Sequence, residues 1–285
     1  MNSDRYLADV ELAWCPGCGN FQIRQALAAA LGQLELPPHR VVLVTGIGQA
    51  GKMAHYVATN GFNGLHGRTL AAAAGIKMAR DDLVVIAESG DGDLYGEGGN
   101  HLVHNARRNV DLAVIAHDNR VYGLTKGQAS PTAAAGMVTK IQPFGTPWYP
   151  LSPLALALAA GATFVAQAFS GLVDHTAEMI AAAVRHRGFA LVNVLHPCPS
   201  WNRVNTFAWF KERVFDLAEE GWPAEDRLQA LGAALAGEER IPVGVLYRRE
   251  LPTFADRHPV LAGEPIGLRP LPAPTDLAPL LAELE

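Results

Sequence analysis

Residues 83–93 read LVVIAESGDGD, residues 98–109 read GGNHLVHNARRN, and residues 110–119 read VDLAVIAHDN. Leu83–Glu88 and Leu112–His117 are continuous apolar runs, the pattern of strands buried on both faces, and Gly99–Arg108 between them reads as a helix. A strand–helix–strand unit of this kind predicts two parallel strands whose carboxyl ends share one edge of a sheet. Gly90-Asp91-Gly92-Asp93 and Asp118-Asn119 then lie on that edge. Glycines at a strand end let backbone N–H groups come close to a phosphate. A carboxylate in the same turn suits Mg²⁺, which takes oxygen ligands and bridges to phosphate groups. Gly-Asp-Gly alone usually marks only a tight turn. Asp91 followed by Asn119 one helix and one strand later says more: it predicts a metal–diphosphate site.

The same alternation continues on both sides. Val41–Gly46, Ala162–Phe169 and Phe189–His196 read as strands, and Arg68–Arg80, Pro153–Ala160 and Leu172–Arg187 as helices. The expected fold is therefore α/β, a mostly parallel sheet with helices on both faces. Ligands of such sheets sit beyond the carboxyl ends of the strands. Residues 21–200 are expected to form this domain, after a cysteine-containing segment at 1–20. Residues 201–285 read as an extension whose Pro-rich tail packs on the fold or on a partner; seven prolines fall within 250–285.

Composition narrows the function. Of 285 residues, 49% are hydrophobic and 18% charged, enough for a sizeable core. A formal charge of −5 gives no general affinity for nucleic acid or an anionic membrane. Residues 141–173 carry no charge, but prolines and polar residues interrupt them, so a buried soluble segment is expected rather than a membrane span. Three cysteines are too few and odd in number for a disulfide framework, and a reducing cytoplasm is expected.

Trp14-Cys15-Pro16-Gly17-Cys18 admits several readings. A W-C-x-x-C pair suits dithiol redox chemistry, but that motif belongs in a smaller thioredoxin-type domain. Alternatively Cys15, Cys18 and Cys198, which follows the strand at 189–196, converge on a metal or a cluster. Zinc held by the three thiols and a histidine such as His196 is a further reading, and three unrelated thiols the plainest one.

The wider text adds WCPGCGN (14–20), VTGIGQAGK (44–52), LHGR (65–68), GDGD (90–93), NRVYGLTKGQASPT (119–132) and the segment Cys198–Asn202. In this order, from about residue 10 to about 250, these motifs resemble the β subunit of 2-oxoacid:ferredoxin oxidoreductases, particularly the 2-oxoglutarate-type branch. The resemblance implies a thiamine-diphosphate-binding fold. It implies oxidative decarboxylation of a 2-oxoacid to acyl-coenzyme A and CO₂, with electrons passed to ferredoxin, and activity only beside an α (or fused γα) subunit.

By the same resemblance, Asp91, Asn119 and the Val121 carbonyl hold Mg²⁺, and Gly90, Gly92 and Asp93 lie at the diphosphate. His66 stands near the reacting centre, Leu124 presses on the cofactor, and Lys126 and Lys52 are candidates for the substrate carboxylate. Plainer roles exist for each: a core histidine, a core leucine, lysines on a solvated rim. Cys15, Cys18 and Cys198 match cluster-ligand positions of the family, but Gln49 stands where the family has its fourth cysteine. A [4Fe–4S] or three-iron cluster with one corner lacking a thiolate is the expectation. Two other readings keep less of the resemblance: one half of a split, non-redox thiamine-dependent decarboxylase, and a zinc-stabilised assembly protein.

Overall fold

The computed structural model describes residues 3–270 and 281–283. Ten strands form: β1 (Val41–Thr45), β2 (Asn60–Asn63), β3 (Val84–Gly90), β4 (Leu112–Asp118), β5 (Val121–Tyr122), β6 (Gln128–Ala129), β7 (Phe164–Phe169), β8 (Phe189–Leu195), β9 (Val214–Asp216) and β10 (Ile241–Arg248). Eight of them make one sheet in the order β2-β1-β3-β4-β8-β7-β10-β9, and β5 with β6 makes a separate hairpin. From β2 to β7 every pair is parallel; β10 joins β7 antiparallel. The expected α/β fold with a mostly parallel sheet is present.

The pleat divides the core. Val41 and Leu43 of β1, with Ile86, Ile115 and Val192, pack under α1 (Asn20–Gln33) and α6 (Val173–Arg185). Val42, Val44, Val85, Val114 and Leu191 alternate with them and pack on the other face. There they meet α3 (Thr69–Ala79), α4 (Gly99–Arg108) and α5 (Pro153–Ala160), while α2 (Met53–Tyr56) is a single turn. Covering both faces explains why the strands read as unbroken apolar runs.

The uncharged segment divides as its residues dictate. The Ser152 hydroxyl caps α5 by accepting from the Ala155 N–H at 3.3 Å, Pro153 fits the first turn, and left-handed Gly161 (φ 97°) ends the helix before β7. No described helix is long and apolar enough to cross a membrane.

Five strands were not among those expected: β2, β5, β6, β9 and β10. Edge strand β2 is exposed throughout, and β9 and β10 lie in the expected extension. The extension also supplies α7 (Phe207–Lys211) and α8 (Arg227–Ala234). Phe169 and Leu195, at the ends of β7 and β8, pack with Phe210, Ile241 and Val243 in a small core of their own. Of the Pro-rich tail, the described part runs along the amino edge of the sheet. There the Phe254 N–H donates to the Asn109 carbonyl (3.0 Å) and Arg257 to that of Arg108 (2.9 Å). Residues 271–280 and 284–285 of that tail lie outside the described residues.

The chain leaves β1 for β2 on one side and returns to β3 on the other. The order therefore reverses between β1 and β3, and a crevice opens outside their carboxyl ends.

Candidate active site

A cleft lies in that crevice. Ile47–Ala50 after β1, Gly90–Asp93 after β3, Asn119 and Val121–Thr125 after β4, and His196 after β8 line it, together with His66 and Asn20. Strands β3 and β4 are direct neighbours with Gly90 paired to His117, so Asp91 and Asn119 leave the sheet side by side. The structure thus brings together Gly90, Asp91, Gly92, Asp93, Asn119, Val121, Leu124, His66 and Gln49.

Asp91 is buried. Its Oδ2 accepts from the Arg120 N–H (2.9 Å), the Ser130 hydroxyl (2.6 Å) and the Thr132 hydroxyl (2.7 Å). Thr132 also meets Oδ1 of buried Asp118 at 2.8 Å. A hydroxyl has one proton to give, so one Thr132 contact must be donated by a protonated carboxyl or left weak. Burial first, and the Asp118 carboxylate second, push the Asp91 carboxyl well above its ordinary value. Such a group is suited to a cation that would supply the missing charge. Asp91 Oδ1, engaged by no described hydrogen bond, is the oxygen left to meet one.

Gly92 opens a π-helical turn, Gly92–Glu97, before α4, and a methyl group there would run into the Tyr122 ring. Only glycine lets this backbone pack beneath Tyr122. The Asn119 side-chain oxygen accepts from the Val121 N–H at 3.0 Å, which folds the two expected metal-facing oxygens into one turn. The residues present fit a metal–diphosphate: a glycine cradle, one buried carboxylate with a free oxygen, and an amide and a carbonyl from the adjacent strand end.

The other expected residues differ in role, and the two lysines lie off the cleft. Asp93 turns away from the strand edge and fastens three loops. Its Oδ1 accepts from the N–H groups of Gly67 (2.8 Å) and Ile47 (3.3 Å), and its Oδ2 from Ser89 (2.5 Å) and Thr69 (3.2 Å). His66 Nδ1 also meets Asp93 Oδ1 at 2.7 Å, which orients the imidazole at the cleft. Leu124 is half exposed on the cleft wall. Lys126, exposed in left-handed backbone (φ 77°), follows it in the β5–β6 loop without lining the cleft. Lys52 also lies off the cleft, donating to the Ala13 carbonyl at 2.8 Å beside the cysteine segment.

That segment is held at the same sheet edge. The Trp14 indole N–H donates to the Gln49 carbonyl at 2.8 Å, and its ring packs edge-on against Phe21 and Tyr56. The Gly19 N–H donates to the Pro197 carbonyl at 3.4 Å. Cys15 is exposed; Cys18 and Cys198 are buried. Burial raises the Cys18 thiol to about 11 and raises Cys198 as well, and the other thiols contribute in the same direction. Among the described residues no group of three His, Cys, Asp or Glu side chains closes around a single ion. Gln49 Oε1, buried without a partner, lies between the cleft and this segment.

Sequence reasoning missed a polar floor. Glu88 and His117 are fully buried with Oε1 and Nε2 2.5 Å apart, and His117 Nδ1 meets Asn20 Oδ1 at 2.8 Å. The His196 ring stands edge-on to His117 at 5.9 Å. Burial, with His117 second, lowers His196 to about 3, so it is neutral. Its Nδ1–H points to the Pro197 carbonyl, leaving buried Nε2 unpartnered at the cleft. The signal was present: the apolar runs at 83–88, 112–117 and 189–196 close on the polar residues Glu88, His117 and His196.

Comparison with known proteins agrees with this geometry. Residues 44–194 match the family described as thiamine pyrophosphate enzyme, C-terminal TPP binding domain. Residues 198–263 match the family that describes the C terminal of the pyruvate ferredoxin oxidoreductase beta subunit. A 2-oxoacid:ferredoxin oxidoreductase subunit beta from Sulfolobus sp is 43% identical over 91% of this chain and 89% of its own length. The 2-oxoglutarate oxidoreductase subunit KorB of Mycobacterium tuberculosis is 44% identical over 69% of this chain and 53% of its own. Among solved structures, a 2-oxoglutarate:ferredoxin oxidoreductase from Magnetococcus marinus, with 2-oxoglutarate, coenzyme A and succinyl-CoA bound, superposes with a TM-score of 0.90 at 35% identity. That match covers 100% of this chain and 96% of the other. With the thiamine-type cleft, the cysteine segment beside it and both halves of the sheet accounted for, the chain belongs to the β subunits of the 2-oxoacid:ferredoxin oxidoreductases.

Proposed function

We propose that this subunit holds Mg²⁺ and thiamine diphosphate in the β1/β3/β4 cleft and, with an α or γα partner, converts 2-oxoglutarate and coenzyme A to succinyl-coenzyme A and CO₂ while reducing ferredoxin. The observation that carries the reading is the placement of Asp91 and Asn119 side by side at the strand edge, with a glycine cradle beneath. When bound, thiamine diphosphate supplies the nucleophile and the electron sink for decarboxylation.

The chain's own residues do the positioning. Asp91, Asn119 and the Val121 carbonyl would hold the metal, and the backbone of 90–92 the diphosphate. His66, steadied by Asp93, keeps Nε2 for a proton at the reacting group. Leu124 gives the cofactor an apolar wall. Lys126, next to the cleft-lining residues 123–125, is the better placed of the two lysines for a substrate carboxylate. Lys52 reaches it only by leaving the Ala13 carbonyl. Cys15, Cys18 and Cys198 are assigned to an iron–sulfur cluster with Gln49 at its open corner, which suits a reducing cytoplasm.

The test is the co-purified complex, prepared without oxygen and assayed for Mg²⁺, thiamine diphosphate, iron and sulfide, then for ferredoxin reduction dependent on 2-oxoglutarate and coenzyme A. Cofactor, about three to four irons on this subunit and coupled turnover are the expected result. CO₂ release without ferredoxin reduction, from an iron-free subunit, would instead identify half of a split decarboxylase. No bound thiamine diphosphate would overturn the reading.

A further inference from the structure

Arg120 lies between the two residues assigned to the metal, and the site as described leaves it without a role. Its backbone is left-handed (φ 67°), a conformation strained for a non-glycine residue and adopted freely by glycine. The strain has a geometric use. It turns the Arg120 N–H onto Asp91 Oδ2 (2.9 Å) and lets the Arg120 carbonyl accept from the Ser130 N–H (3.3 Å), while Asn119 and Val121 point to the cleft.

What holds the turn comes from the C-terminal segment. The Arg120 side chain is 6% exposed. Its guanidinium pairs with Glu238 at 2.8 Å and lies over the rings of Trp209 (5.3 Å) and Phe210 (5.7 Å). Trp209 and Phe210 are on α7, and Glu238 precedes β10. A second tie comes from the same segment: Asn202 Nδ2 donates to the Asn119 carbonyl (3.1 Å) and to Asn205 Oδ1 (2.9 Å). Arginine is suited to this position because its planar cation stacks on aromatic faces and pairs with a carboxylate at once.

We infer that Arg120 is a positioning residue for the metal site, clamped by Glu238, Trp209 and Phe210, so that residues 202–238 set the geometry in which Asn119 and Val121 meet the cation. The inference rests on the reading of Asp91, Asn119 and Val121 as the metal-holding set. The extension thereby acquires a defined role, pressing on the back of the site without contributing a ligand. Loosening the clamp frees the turn to sample other backbone conformations, and the cation then binds only the fraction that is correctly formed.

The test uses the complex with its partner subunit, stripped of Mg²⁺ and cofactor and titrated with Mg²⁺ at fixed thiamine diphosphate, read by equilibrium dialysis and near-ultraviolet circular dichroism. Arg120→Gly removes the anchor but fits the left-handed turn. It is expected to raise the half-saturating Mg²⁺ concentration about tenfold, with the loss relieved by excess Mg²⁺, and Arg120→Lys to recover part of it. Glu238→Gln, at a residue half exposed to solvent and safe for folding, is expected to raise it about threefold. Wild-type Mg²⁺ dependence in both Arg120→Gly and Glu238→Gln overturns the inference and leaves the metal assignment standing. A loss in Arg120→Gly that no excess of Mg²⁺ relieves overturns it too, because the residue would then be supporting the fold. Failure of the wild-type complex to bind Mg²⁺ and thiamine diphosphate overturns both readings together.

Discussion

Replacing Asp93 separates a structural carboxylate from a ligand-facing one. Its two oxygens accept from the N–H groups of Gly67 and Ile47, the hydroxyls of Thr69 and Ser89, and His66 Nδ1, at 2.5 to 3.3 Å. In Asp93→Ala the hydroxyls can rotate to other acceptors and the half-exposed imidazole can turn to Glu97 or water, but the two backbone N–H groups cannot. Each stranded backbone donor costs about 1–3 kcal/mol, so a total of roughly 2–6 kcal/mol is expected. Asp93→Asn is much milder. The amide oxygen can take the Oδ1 position and keep Gly67, Ile47 and His66, while the amide nitrogen donates to Thr69 and Ser89. Only the charge assistance is lost, about 1 kcal/mol.

The assay is thermal unfolding of the complex without Mg²⁺ or cofactor, so that ligand linkage adds nothing to the midpoint. At about 2–4 °C per kcal/mol, Asp93→Ala should lower the midpoint by roughly 10 °C and Asp93→Asn by a few degrees. If Asp93→Ala melts like the wild type and differs only once Mg²⁺ and thiamine diphosphate are added, the carboxylate acts on the cofactor and the loop-fastening role is wrong.

Three further outcomes follow from the geometry. Gly92→Ala should weaken thiamine diphosphate binding at least tenfold, because the added methyl displaces the Tyr122 ring next to Val121; unchanged binding by dialysis would show that Tyr122 moves at no cost. In the reduced, metal-free protein, Cys18, with its thiol held at about 11 by burial, should be ionised to roughly one part in a thousand at pH 8. Its alkylation rate, read by mass spectrometry, should climb tenfold per pH unit from 8 to 10, and a plateau near 9 would contradict the burial argument. The isolated chain, reconstituted with Mg²⁺, thiamine diphosphate and iron, should fail to reduce dye with 2-oxoglutarate; turnover matching the complex would remove the need for a partner subunit.

What was legible in the sequence is what local chemistry decides. Unbroken apolar strands require cover on both faces, and Ser152, Pro153 and Gly161 carry their own instructions for α5. The spacing from Asp91 to Asn119 fixes their meeting because one helix and one strand can close only one way beside a parallel neighbour. The strands that were missed lack such instructions. Exposed β2 has no buried face to impose a pattern, and β10 runs antiparallel at the far side, where its partner β7 lies about 80 residues earlier in the chain.

Side-chain destinations are a different matter. Asp93 shares a turn with Asp91, yet one carboxylate fastens three loops while the other keeps an oxygen free, and the difference is made by Ile47, Gly67 and Thr69, which are remote in sequence. Lys52 sits in a glycine-flanked motif, but the Ala13 carbonyl captures it. Arg120 is the sharpest instance: it lies between two expected metal-facing residues, and nothing in the sequence singles it out. Its burial depends on Trp209, Phe210 and Glu238, about 90 to 118 residues downstream. A motif names the atoms that face the ligand. The geometry of those atoms is set by whatever closes behind them, and here that includes the extension from 202 to 238, so variants in α7 and in the loop before β10 belong in any account of cofactor affinity.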